Sequence, residues 1–157
     1  MADILHKAAD PEALHKFQAA FPDFAESEIK TLFSYLEPRH YPAGTSVWQQ
    51  GDPMEFMGFL LDGRFVVKRE GRFPGKQIIL AVLEKGSLFG EMSVAALQPH
   101  SVTLVAVDET AACILTHDNA QQFFRHEPLL AIKLLKKIVV VAGLRLQHTG
   151  SRLAELL

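Results

Sequence analysis

The chain of 157 residues has one cysteine, Cys113, which excludes an internal disulfide framework and a multi-cysteine zinc site. It stands in the apolar run Ala111-Ala112-Cys113-Ile114-Leu115 and reads as a small buried hydrophobe. The seven histidines, His6, His15, His40, His100, His117, His126 and His148, include no pair at i, i+2 or i, i+4. A clustered metal site is therefore not expected, and neither is a metal cupin enzyme, which needs His-x-His on one strand. Positive charge is not in excess. Sixteen Lys and Arg stand against 18 Asp and Glu, a net charge of −2, so binding of nucleic acid through bulk charge is excluded. The most apolar stretch, residues 138–144, is seven residues long, whereas a membrane-spanning helix needs about 20. The first seven residues have no signal-peptide layout, so a cytoplasmic protein without membrane contact is expected. Polar aromatics are scarce too: two Tyr and one Trp accompany eleven Phe, which assigns most aromatic surface to the core.

What is present is ordinary globular composition, 48% apolar and 22% charged, in a length suited to one domain. The texture changes twice along the chain. Residues 1–38 read as helical. Pro11-Glu12 suits a helix start, Leu14, Phe17 and Phe21 follow at helical spacing, and Pro22 interrupts. A second helix is predicted from about Ser27, with Ile29, Leu32, Phe33 and Leu36 on one face and Pro38 ending it. Residues 39–116 alternate short apolar runs with turn residues, the mark of an all-β sandwich or barrel. The Asp62-Gly63 pair between Phe59-Leu60-Leu61 and Phe65-Val66-Val67 predicts a hairpin. Residues 117–157 return to helix. Thr116 can cap a helix, Asp118 suits its first turn, and Pro128 precedes a long helix with Leu130, Leu134, Ile138 and Val141 in one stripe. Gly143 and Gly150 weaken that helix by about 1 kcal/mol each and are expected to bend or end it. It is apolar nearly all round between 138 and 144, so it calls for two partners: its own β domain and the same helix of a second subunit. Its local charge is positive, six Lys and Arg from Arg125 onward against two Glu, and this reads as its solvated side.

The most informative segment is Gly86-Ser87-Leu88-Phe89-Gly90-Glu91-Met92-Ser93 and its continuation to Gln98-Pro99-His100-Ser101-Val102-Thr103. A strand ends at Leu88-Phe89 and a short helix begins at Gly90-Glu91, whose first N–H groups offer a seat for an anion. The order Phe-Gly-Glu, with Pro eight residues after the Glu and a small hydroxyl residue two further on, resembles the phosphate-binding cassette of the cyclic-nucleotide-binding domain family. That family includes the sensor modules of catabolite activator protein, of protein kinase A regulatory subunits and of some ion channels. The resemblance extends to Tyr41-Pro42-Ala43-Gly44-Thr45, to Gln50-Gly51-Asp52, to the Leu60–Val67 region, and to the hinge helix and dimer helix on either side of Pro128.

The resemblance implies a mainly β fold with flanking helices: a β-roll (double-stranded β-helix, or jelly roll) with N-terminal helices and a long C-terminal helix. It implies a ligand site made by Phe89, Gly90, Glu91, Met92, Ser93, His100, Ser101 and Val102, with Glu91 accepting from a ribose hydroxyl and Ser101 meeting the phosphate. It also implies cAMP or cGMP as ligand, a homodimer, a further protein partner, and no cofactor, metal or catalytic residues. One position departs. Family members that bind cyclic nucleotides carry Arg after the cassette proline, and this chain has His100. Arg offers a permanent charge and a two-pronged fork to a phosphate; an unperturbed imidazole is only about a quarter charged at pH 7. Losing one partner of a buried charge pair costs about 3–5 kcal/mol, two to four orders of magnitude in affinity.

Three readings follow. The first is a stand-alone sensor that binds a cyclic nucleotide weakly, or a related anionic ligand. The second is a scaffold or dimerisation protein whose pocket has lost its ligand. The third is the sensor part of a DNA-binding regulator, which needs a helix-turn-helix of roughly 60 residues beyond the long helix. If the chain is complete, direct DNA reading is not expected; if it is a fragment, that objection vanishes.

Overall fold

The computed structural model describes residues 11–95 and 98–156. The first ten residues, including those read for a signal peptide, lie outside the described residues, as do cassette positions Ala96 and Leu97 and the terminal Leu157. Two helices lead, α1 (Pro11–Ala19) and α2 (Glu26–Ser34). Eight strands follow: β1 (Glu37–Tyr41), β2 (Ser46–Trp48), β3 (Phe56–Asp62), β4 (Phe65–Glu70), β5 (Gln77–Leu83), β6 (Leu88–Phe89), β7 (Thr103–Ala106) and β8 (Thr110–Thr116). A single 3-10 turn, Glu91–Val94, lies between β6 and β7. Helices α3 (His117–His126) and α4 (Pro128–Glu155) close the order.

The strands form two antiparallel four-stranded sheets, β1-β8-β3-β6 and β2-β7-β4-β5, with the helices on the outer face of the first, so the fold is the β-roll. Period-two alternation along β3 and β8 divides the core. Met57, Phe59, Leu61, Cys113 and Leu115 point to the helices, while Leu60, Ala112 and Ile114 point to the space between the sheets. Both strands are thus covered on both faces, which is why their sequences are continuous apolar runs. The helix-side core is a cluster of phenylalanines. Phe17, Phe21 and Phe59 stack edge-on or tilted with ring centroids 4.7–5.3 Å apart, and each ring buried contributes about 1.5–3 kcal/mol.

Three expectations need correction. Asp62-Gly63 does not close a hairpin: β3 and β4 belong to different sheets. Gly63, at φ +81°, carries the chain from one layer to the other, and Arg64 O accepts from Val107 N at 2.9 Å, binding the crossing to the β7–β8 loop. The hairpin is β4–β5, paired from Phe65↔Leu83 to Glu70↔Gln77. Second, α2 ends at Ser34, and Pro38 lies inside β1. An edge strand tolerates proline because one row of its N–H groups needs no ladder partner, and β1 is an edge strand pairing only with β8. Third, Gly143 and Gly150 neither end nor divide α4, which runs unbroken to Glu155. Thr116 does cap α3, its hydroxyl accepting from Asn119 N at 3.2 Å, and α4 starts on Pro128.

Candidate functional site

A cavity of about 480 Å³ lies between the second sheet, the cassette and the last turns of α4. Its apolar lining comes from Trp48, Val67, Leu80, Val82, Phe89 and Leu104. The cassette residues are brought to it by close packing of glycine backbone. Gly58 in β3 makes room for Phe89, since a Cβ there would lie 2.1 Å from the ring. Gly90 takes φ +64°, the left-handed region, and a Cβ would lie 2.8 Å from Phe56 O. Phe89 is thereby driven into the inter-sheet core while Glu91, two residues on, turns back toward α4.

Among the residues expected at the site, Phe89, Gly90, Glu91 and Met92 line the cavity from one side, and His100, Ser101 and Val102 from another. Ser93 does not. It is buried in the 3-10 turn, where its N–H donates to Gly90 O at 3.1 Å. The expected short helix is this single tight 3-10 turn of four residues.

His100 is 5% exposed and lies flat on Trp48, ring centroids 3.9 Å apart and planes 9° apart. Backbone bonds on both sides hold it: His100 N donates to Asp52 O and Gly51 N donates to His100 O, each at 2.8 Å. Trp48 is anchored in turn by its indole N–H to Val102 O at 3.1 Å. Burial pushes the His100 pKa below its ordinary 6.5, and the Asp52 charge opposes this only in part. The quarter-charged share expected of an unperturbed histidine at pH 7 is thereby reduced.

Glu91, with 14% of its side chain exposed, accepts from Arg145 Nη1 at 2.7 Å. The other arm of that guanidinium donates to Leu88 O. Arg145 therefore clamps α4 to the strand and the turn that carry the cassette. His148, Thr149 and Arg152 of the same helix also line the cavity, and Arg152 Nη1 donates to Leu80 O at 3.2 Å. Sequence reasoning placed these basic residues on a solvated face and missed them. The available signal was a polar stripe at i, i+3, i+4 and i+7 (145, 148, 149, 152) on a helix otherwise apolar on several sides. Trp48 is both core and cavity wall.

Comparison with known proteins bears on the fold. The family model described as "Cyclic nucleotide-binding domain" matches residues 38–127. The cyclic AMP receptor protein of Thermus thermophilus is 32% identical over 114 residues, covering 73% of this chain and 52% of that protein. A CRP-like cAMP-activated global transcriptional regulator of Mycobacterium tuberculosis is 25% identical over 138 residues, 87% of this chain and 59% of that protein. This chain thus spans between half and three-fifths of the length of these curated relatives. A solved cyclic nucleotide-binding domain from Methylobacillus flagellatus superposes with a TM-score of 0.81 at 26% identity, over 93% of this chain and 83% of that one.

Proposed function

The chain belongs to the cyclic nucleotide-binding domain family, and from that premise we propose that it is a cytoplasmic sensor module that binds a cyclic nucleotide weakly, or a related small anion, and signals through α4. The observation that carries the reading is the Glu91–Arg145 ion pair. A ligand hydroxyl that bonds Glu91 competes with, or adds to, the contact that fastens α4. Ligand therefore has different affinities for two poses of the helix and shifts their balance.

The output of such a shift is a dimer rearrangement. Ile132, Val139, Leu146 and Leu153 are exposed and recur every seven residues on α4. A seven-residue apolar repeat is the seam of a coiled coil, and the partner proposed for it is α4 of a second copy. The cavity-facing stripe adjoins this seam, so a change in helix pose alters both. Reading the module as the sensory part of a longer transcription regulator is supported by the lengths of its relatives, which extend well beyond the matched region.

Calorimetric titration with cAMP and cGMP at pH 6 and pH 8, on the wild type and on His100→Arg, tests the reading. Weak binding by the wild type, with the Arg variant tighter by two orders of magnitude or more, is expected, because a guanidinium can stack on Trp48 and present its fork to a phosphate. Binding by neither protein would overturn the sensor reading in favour of a scaffold whose pocket takes no ligand.

A further inference from the structure

Ionisable side chains stand on two walls of the cavity. The cassette contributes a carboxylate, Glu91, and a buried imidazole, His100. The α4 wall contributes Arg145, His148 and Arg152. Arg145 is fully engaged, since its two arms bond Glu91 and Leu88 O. Arg152 is not. It is exposed and, among the described residues, bonds a carbonyl, Leu80 O, and faces no carboxylate in an ion pair. His148 lies four residues before it, so both side chains stand on one helix face and can converge on one group. The described lining thus holds two guanidiniums against one carboxylate, and the surplus cation sits on the helix. Ser101 and Thr149 add hydroxyls, and most of the remaining lining is apolar, with Leu80 and Val82 among its exposed side chains.

Resting on the reading that this cavity is a ligand site, we propose that it takes a small organic anion with an apolar body, its charge held by Arg152 and His148 of α4 and not by the cassette. The anion is recognised at the opposite wall from the one the cassette pattern implies. This follows from where the uncompensated cation is. The exposed side chains of Leu80 and Val82 offer an apolar surface, and an exposed guanidinium on a carbonyl gains a charge-assisted bond by exchanging that carbonyl for a carboxylate or phosphate. Because the anion bonds the helix itself, occupancy acts directly on α4.

A matched pair of probes tests this: 1-naphthylacetate and its neutral analogue 1-naphthylacetamide. Trp48 is the chain's only tryptophan, so its indole N–H gives one resonance from the cavity wall. Titrations followed by that signal should show the carboxylate binding at least tenfold more tightly than the amide. In the double variant His148→Gln, Arg152→Gln the carboxylate should weaken to the level of the amide, with amide binding unchanged. The preference should survive His100→Gln. Equal binding of the two probes by the wild type, or a preference that persists in the double variant, overturns the proposal. Titration with cAMP in parallel separates the two levels of the argument. If cAMP moves the indole signal and the carboxylate has no advantage, the ligand site stands and the helix-held anion falls. If neither the probes nor cAMP moves it, both fall.

Discussion

Arg145 Nη1 lies 2.7 Å from Glu91 Oε1, fastening the middle of the last helix to the first residue of the cassette turn across 54 positions of sequence. Glu91 is nearly buried, whereas more than a third of the Arg145 side chain is exposed. Removing the cation leaves a buried carboxylate with reduced compensation. Arg145→Gln is expected to cost about 1–2 kcal/mol, below the figure for fully buried pairs because solvent reaches the guanidinium. A double-mutant cycle with Glu91→Gln, read by urea denaturation, should give a coupling of about 1 kcal/mol. Additive single-mutant effects would show that the pair does not fasten α4.

The same clamp governs local motion at the end of α4. In Arg145→Gln, amide hydrogen exchange should quicken in the last three turns of the helix and remain slow in β3 and β8, which both cores cover. Unchanged exchange in those turns would mean that the helix is held elsewhere.

His100 makes stability depend on pH. Its folded pKa lies below the unfolded 6.5 because burial on Trp48 disfavours the charged form. The unfolded chain then binds more protons in the window between the two values, so stability rises with pH there. The contribution is complete above about pH 6.5 and is lost as pH falls from 6.5 through the folded value. Melting temperatures of the wild type and His100→Gln between pH 5 and pH 8 should diverge in slope below pH 6.5, the variant being flatter. Parallel slopes would assign the acid sensitivity to other groups.

Glycine substitutions should have opposite signs at different sites. Gly58→Ala places a Cβ against the Phe89 ring, and Gly90→Ala forces a left-handed φ beside Phe56 O. Each should destabilise by about 1–3 kcal/mol, the first by overpacking and the second by strain. Gly143 stands in a continuous helix with open space around it, so Gly143→Ala should stabilise by up to about 1 kcal/mol. Denaturant midpoints of the three variants test the contrast.

The exposed seam of α4 predicts self-association. Sedimentation of the wild type at tens of micromolar should show a dimer, and Val139→Glu with Leu146→Glu should give a monomer whose β-roll melts within a few degrees of the wild type, since neither side chain enters the core. A wild-type monomer at that concentration would remove the proposed route from ligand to output.

Local chemistry was sufficient for much of this molecule. Thr116 and Pro128 mark helix starts by capping and by a fixed φ. The Leu130, Leu134, Ile138 stripe marks the buried side of α4, and the Phe-Gly-Glu to Pro order marks the cassette. Each of these acts within one or two turns of chain, so the residues themselves carry the instruction. Non-local packing decided the rest. The runs on either side of Asp62-Gly63 are apolar throughout, and such runs have no preferred face, so only pairing with β8 and β7 assigns them to different sheets. The basic residues of α4 look solvated in isolation; they line the cavity because the helix lies against the cassette. His100 illustrates the division most directly. Its identity was legible in the sequence, but its stacking on Trp48 and its lowered pKa come from a contact between residues far apart in the chain, where burial acts on a titratable ring.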